Sequence, residues 1–369
     1  MILYNLIFLL LLGIAFISLF VEVNRVYSFF ILVTLILFGS LRYKVGMDYE
    51  SYESIFDSID NKPMSMSDAA SFYLEPGYVM IISCLKYIGF DNIGLFALQM
   101  ILSVYFVNKA IMKYSQNIFV AWVIVYGVYY VNLFFNGIRQ GLFIAIIMYI
   151  FPYLLEKSRK NFLNIVILSI VLGFFLHKTA VILPLIYIVC LFTPSLRNKY
   201  IILLGTLVWA FTGVGNMLMQ VGGLAFFKDN AYLGVVDLYS TSEAFGKEIN
   251  FFSISVLHRL AILVVALYFS SFASADPLFK KLTNIYFWGA VAYFALVPLG
   301  YIMATRVSMN LKIFDVLLIP YFLVFLKEYS FKIIGLLLIS LWSFAVMLTN
   351  FYLPGNYEYY IPYRTIFSK

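Results

Sequence analysis

The chain has 369 residues, of which 63% are hydrophobic, 20% aromatic and only 12% charged, with a mean hydropathy of +0.95. A soluble globule carries roughly 25% charged residues, so most of this surface faces lipid, and a soluble nucleotide-binding enzyme, a disordered scaffold and a small secreted domain are excluded. The net charge of +7 reads as cytoplasmic-loop lysine and arginine, because no basic run is long enough for a nucleic-acid patch.

The expected fold class is all-α, a polytopic integral membrane protein of about 12 (11–13) transmembrane helices. A crossing takes about 20 residues, and twelve apolar stretches are candidates: 2–21, 26–41, 92–108, 118–135, 140–155, 161–176, 179–193, 200–222, 251–272, 283–303, 307–326 and 331–350. The first lacks a positive n-region and a cleavage site, which predicts a retained helix. Cys84 and Cys190 both lie in apolar stretches and suggest no framework disulfide. No repeat and no Gly/Ser linker divides residues 1–369, which read as a single domain.

Four loops carry clustered cations: Lys157/Arg159/Lys160, Arg197/Lys199, Lys280/Lys281 and Lys327/Lys332. An even number of spans separates consecutive pairs, so all four share the cytoplasmic side. Segment 42–75 holds three cations and seven acids, a net charge of −4, which suits the outer face, as does the second hydrophilic excursion at 223–250. This assignment requires that 76–90, a short stretch interrupted by Lys86, does not cross, giving interfacial helices within 50–90.

Charges at membrane depth are costly and mark functional sites. Arg42 falls at the outer end of the second span, Arg139-Gln140 and His177-Lys178 in outer turns, and Arg306 at the outer start of a span. His258-Arg259 lies 7–8 residues into a span, about 11 Å deep at about 1.5 Å per residue. Lys312 and Asp315, spaced i,i+3, can neutralise each other. Arginine suits a phosphate headgroup by fork geometry and permanent charge. Asp48, in Gly46-Met47-Asp48-Tyr49, is a candidate general base.

Arg42-Tyr43-Lys44-Val45-Gly46-Met47-Asp48-Tyr49-Glu50-Ser51-Tyr52 resembles the first-loop motif of the EpsG-like family of exopolysaccharide polymerases, Wzy-type and glycosyltransferase-like. Asn136-Gly137-Ile138-Arg139-Gln140 resembles the second motif, His177-Lys178-Thr179-Ala180 the third, and Tyr360-Ile361-Pro362-Tyr363-Arg364 the aromatic C-terminus. One departure is Gly141-Leu142-Phe143 after the Arg-Gln pair, with the next small residue only at Ala145.

The resemblance implies polymerisation of undecaprenyl-diphosphate-linked oligosaccharide repeat units into exopolysaccharide, capsule or O-antigen on the outer face of a bacterial cytoplasmic membrane. The expected catalytic residues are Asp48, Arg139 and His177. Arg42, Gln140, Lys178, Arg259 and Arg306 are expected to bind the diphosphate and glycan. No metal and no cofactor is expected, since no His/Cys cluster or paired DxD occurs. The expected partners are the polyprenyl-diphosphate-linked oligosaccharide, the bilayer and other polysaccharide-assembly membrane proteins. Rival readings are a flippase for lipid-linked sugars, a membrane acyltransferase with His177 as base, and a non-catalytic scaffold.

Overall fold

Helix starts in this chain are written into single polar side chains. Asn117 Oδ1 accepts the amides of Phe119 and Val120, both at 3.0 Å, and Asp91 Oδ1 accepts that of Gly94 at 3.1 Å. Asp276, followed by Pro277, caps through the Leu278 amide. Each cap satisfies amide donors that have no partner inside the helix, and proline at the first helical position gives up no hydrogen bond.

The computed structural model describes residues 1–156, 161–218, 249–272, 276–353 and 355–368. In chain order its helices are α1 (Ile2–Ile17), α2 (Val26–Ser40), α3 (Tyr49–Ser58), α4 (Met66–Ala70), α5 (Pro76–Tyr87), α6 (Asn92–Tyr114), α7 (Ile118–Asn136), α8 (Ile138–Glu156) and α9 (Phe162–Phe175). There follow α10 (Lys178–Leu191), α11 (Leu196–Phe211), α12 (Val214–Leu218), α13 (Ile254–Ser270), α14 (Pro277–Leu299), α15 (Tyr301–Lys312), α16 (Asp315–Phe325), α17 (Tyr329–Tyr352) and α18 (Tyr357–Tyr360). Among the described residues no sheet forms; one isolated antiparallel bridge joins Arg42 to Thr365.

Each of the twelve apolar stretches overlaps helix where it is described, but 200–222, 283–303 and 307–326 run across helix breaks at 212–213, Gly300 and 313–314. Among the described residues five helices, α6, α7, α8, α14 and α17, are long and apolar enough to cross a bilayer, and the pair α15–α16, bent by 55°, makes a sixth. Five more apolar helices are shorter, at 10–17 residues. The outward faces are apolar: Leu338 and Leu341 on α17 are 63% and 65% exposed. Such a surface suits lipid, and the described residues have the all-helical, apolar-faced character of a membrane protein. Most of the expected outer excursion 223–250, and the cations Lys157, Arg159 and Lys160, lie outside the described residues.

The excursion 42–75, where helices were expected within 50–90, contains α3 and α4. In α3, Tyr49, Tyr52 and Phe56 repeat at i, i+3 and i+7 and are buried, which is the spacing of one helix face. They join Tyr78, Val79 and Ile82 of α5 and Leu95 and Phe96 of α6 in one apolar cluster. Helix α5 has 12 residues, about 18 Å at about 1.5 Å per residue, too short to span a hydrocarbon core of about 30 Å.

The described residues divide into two compact units, one of residues 1–187 with 319–369 and one of residues 188–318. In the first, α7 is the central element, with every residue from Phe119 to Val131 buried. From Val125 to Asn136 it is a π-helix, a form seen elsewhere mostly as single turns at functional sites. It packs on α17 at Gly127, where a Cβ would stand 2.6 Å from the Ser343 carbonyl oxygen. In the second unit α14 packs against α11, α13 and α15, and Gly289 brings α14 onto Leu311.

Candidate functional site

The first unit gathers all four motif segments. Gly46 has φ +116°, a conformation open only to glycine, and turns the chain from the end of α2 into α3. Three groups hold that turn. The Gly46 amide donates to the Tyr359 carbonyl at 2.8 Å, and the Met47 amide to Asn136 Oδ1 at 3.0 Å. Asn136 in turn donates through Nδ2 to the Tyr360 hydroxyl. The C-terminal strand runs alongside, with the Tyr43 amide donating to the Arg364 carbonyl and the Ile366 amide to the Leu41 carbonyl, each at 3.0 Å. Asp48, half-buried, thus leaves a turn fixed from α7 and from the tail.

Arg42 was expected at the surface, as an anchor or a phosphate ligand. It is instead 1% exposed, with its guanidinium carbon 4.4 Å from the Phe135 ring centre, 5.0 Å from Phe96 and 5.9 Å from Tyr49. Burial lowers it to about 10, which still leaves it charged at neutral pH. Its Nε and Nη1 have no hydrogen-bond partner among the described residues, so ring faces supply most of what compensates the charge.

Arg139 and the His177-Lys178 turn meet on a residue the sequence reading counted only as loop charge. Glu75 is 3% exposed; its Oε2 pairs with Arg139 Nη1, and its Oε1 accepts the Lys178 amide at 3.0 Å. Arg139 Nε points to the Tyr52 hydroxyl at 3.5 Å, and the guanidinium lies over the Tyr78 ring at 5.5 Å. Lys178 Nζ, exposed, donates to the Tyr73 carbonyl at 3.0 Å. Burial raises the Tyr52 and Tyr360 hydroxyls above the usual tyrosine range, and the Asp48 carboxylate adds to both shifts. Asp48 is therefore an electrostatic neighbour of the tyrosine that touches Arg139.

His177 starts α10, and its Nδ1 accepts the Thr179 amide at 3.2 Å and lies 2.8 Å from Thr179 Oγ1. With Nδ1 accepting the Thr179 amide, the neutral ring carries its proton on Nε2. Gln140 is half-buried beside Arg139. An open groove of about 490 Å³ runs along the outer face of α3, lined by Glu50, Ser51, Ser54, Ile55, Ser58 and Tyr73.

The remaining expected residues belong to the second unit. Arg259 is 3% exposed, donates through Nη1 to the Ser255 carbonyl at 2.6 Å, and stacks on Tyr293 at 3.8 Å. His258 Nδ1 lies 2.7 Å from the Ile254 carbonyl oxygen, and Arg306 is exposed on α15. Lys312 and Asp315 form the expected pair at 3.5 Å, at the break between α15 and α16. Among the described residues no group of three or more His, Cys, Asp or Glu is arranged to hold a metal ion.

The described residues thus define a helical protein with apolar outward faces and with Arg139, its partner Glu75, Asp48 and His177 in one unit. The chain belongs to the EpsG family, whose sequence profile matches residues 25–365; this is a family of exopolysaccharide polymerases of the Wzy type. No curated protein and no solved structure matches the chain.

Proposed function

We propose that this protein polymerises polyprenyl-diphosphate-linked oligosaccharide repeat units, with undecaprenyl diphosphate as carrier, on the outer face of a bacterial cytoplasmic membrane that it crosses about twelve times. The observation that carries the reading is the linkage of four motif segments, spread from residue 42 to residue 364, through Asn136, Tyr360 and Glu75. The growing glycan passes from its lipid diphosphate to a hydroxyl of the next lipid-linked unit. The bond from the anomeric carbon to the phosphate oxygen breaks, and a bond from that carbon to the acceptor oxygen forms. The acceptor proton leaves to a base, and the lipid diphosphate departs as an anion.

Arg139 retains its Nη2 edge for that leaving group, and Lys178 adds a second positive charge. Cations that meet growing charge lower the barrier without a proton transfer of their own. Asp48 takes the acceptor proton, while His177 donates from Nε2 and Gln140 adds a polar contact. Arg42 supports the floor through the aromatic rings. Arg259 and Arg306 are proposed as further substrate-binding residues. The serine, carboxylate and tyrosine groups of the α3 groove suit sugar hydroxyls and one pyranose face.

The test is polymer analysis in a deletion strain complemented with variants. Arg139→Ala is expected to leave single-repeat material in place of long chains at unchanged abundance in membranes, and Asp48→Asn likewise. Long chains from Arg139→Ala would sink the leaving-group assignment. For sidedness, Cys84 and Cys190 are replaced and single cysteines placed at Ser58 and Lys327. Labelling of position 58 from the cytoplasm would overturn the outer-face site.

A further inference from the structure

We infer that Glu75 is a positioning residue of this reaction, which sets the Arg139 guanidinium and the His177-Lys178 turn against the leaving diphosphate; the inference rests on the polymerase reading above. A carboxylate that is 3% exposed loses its hydration and persists only when each oxygen is paired. Here the two oxygens are divided between two segments of the site. Oε2 takes Arg139, 64 residues ahead in the chain, and Oε1 takes the Lys178 amide, 103 residues ahead. The link is a single side chain, so it fixes the separation of the two segments rather than each alone.

Glu75 itself has little freedom. It stands at the start of α5, immediately before Pro76, whose ring restricts the preceding residue to extended backbone; its ψ is 126°. Helix α5 is seated on α9 at Gly77, where a Cβ would fall 2.7 Å from Phe174 and Phe175 ring atoms. The guanidinium is held at three places, by Glu75 on Nη1, by Tyr52 near Nε and by the Tyr78 ring. These contacts leave the Nη2 edge and fix its direction. Two residues before Glu75, the Tyr73 carbonyl holds Lys178 Nζ, so the same short segment orients both cations.

A carboxylate kept for stability alone could be exchanged with its partner for apolar residues at little cost. One that aims a catalytic cation cannot, because small misplacement of such a group costs up to about 10²-fold in rate. The experiment uses the full chain in lipid nanodiscs with a lipid-linked repeat unit as donor and acceptor, and reads polymer formation. Glu75→Gln is expected to lower kcat about 10²-fold with little change in KM, and Glu75→Asp to recover part of the rate. The double variant Glu75→Gln/Arg139→Gln is expected to be no slower than Arg139→Gln, because Glu75 acts through Arg139. Wild-type kcat in Glu75→Gln, or a double variant slower by the full Glu75→Gln factor, overturns the inference. If Glu75→Gln does not accumulate, the same cycle is read with Glu75→Asp and Arg139→Lys. A wild-type protein that makes no polymer overturns the polymerase reading, whereas an active wild type with an equally active Glu75→Gln overturns this inference alone.

Discussion

The guanidinium carbon of Arg42 sits 4.4 Å from the centre of the Phe135 ring, and through that contact a motif at the end of α2 is seated on the last turn of α7. Phe96 and Tyr49 complete the box. Arg42→Lys keeps the charge but replaces a flat, weakly hydrated group with a compact ammonium. Cation–π contacts contribute about 0.5–2 kcal/mol each, so a loss of about 1–3 kcal/mol is expected in unfolding by SDS in mixed micelles. Wild-type resistance in Arg42→Lys would show that the rings do not stabilise the guanidinium.

The two glycines that flank Ile138-Arg139-Gln140 are expected to respond oppositely to alanine. At Gly137 a new Cβ meets only the Asn132 carbonyl oxygen at 3.6 Å and Gln140 Cβ at 3.9 Å, and φ is −74°, so Gly137→Ala is tolerated. At Gly141 the new Cβ falls 2.4 Å from the Leu133 carbonyl oxygen, and backbone must move. Gly141→Ala is expected to cost about 1–3 kcal/mol and to shift Arg139 in the turn before it, with shortened polymer as the readout. Equal behaviour of the two variants would contradict the close junction of α7 and α8.

The Lys312–Asp315 pair is almost wholly buried, with side chains 7% and 0% exposed. Removing one partner strands the other charge, at about 3–5 kcal/mol. Lys312→Met is therefore expected to lower the thermal midpoint in detergent more than the double variant Lys312→Met/Asp315→Asn, in which neither charge remains. A double variant as unstable as the single one would mean that the pair does not carry the stability of the α15–α16 break.

The apolar runs marked the helices because lipid and core both ask for apolar residues, and that shared demand also hid which helices are long enough to cross. The polarity of 42–75 indicated an excursion with helices somewhere within 50–90, and the buried stripe of Tyr49, Tyr52 and Phe56 is what places the first of them. The π-helix of α7 left no trace, since every residue from Phe119 to Val131 is buried and no polar face marks a period. Arg42, Arg139 and His177-Lys178 stood out as charges beside apolar spans. Glu75 did not, being one of seven acids; its mark was the following Pro76-Gly77-Tyr78, which places this acid alone at the mouth of an apolar helix. The departure noted after Arg139-Gln140 has a simple cause: Gly141 is itself the small residue the packing requires.

The bridge between Arg42 and Thr365 has a consequence for biosynthesis. The turn that presents Asp48 relies on the Tyr359 carbonyl and, by way of Asn136, on the Tyr360 hydroxyl. The strand beside it relies on Arg364 and Ile366. A chain emerging from the ribosome can insert α1 to α16 without any of these partners. Assembly of the first motif therefore waits until residues 359–366 have been translated, so the turn bearing Asp48 is among the last parts of the first unit to be completed.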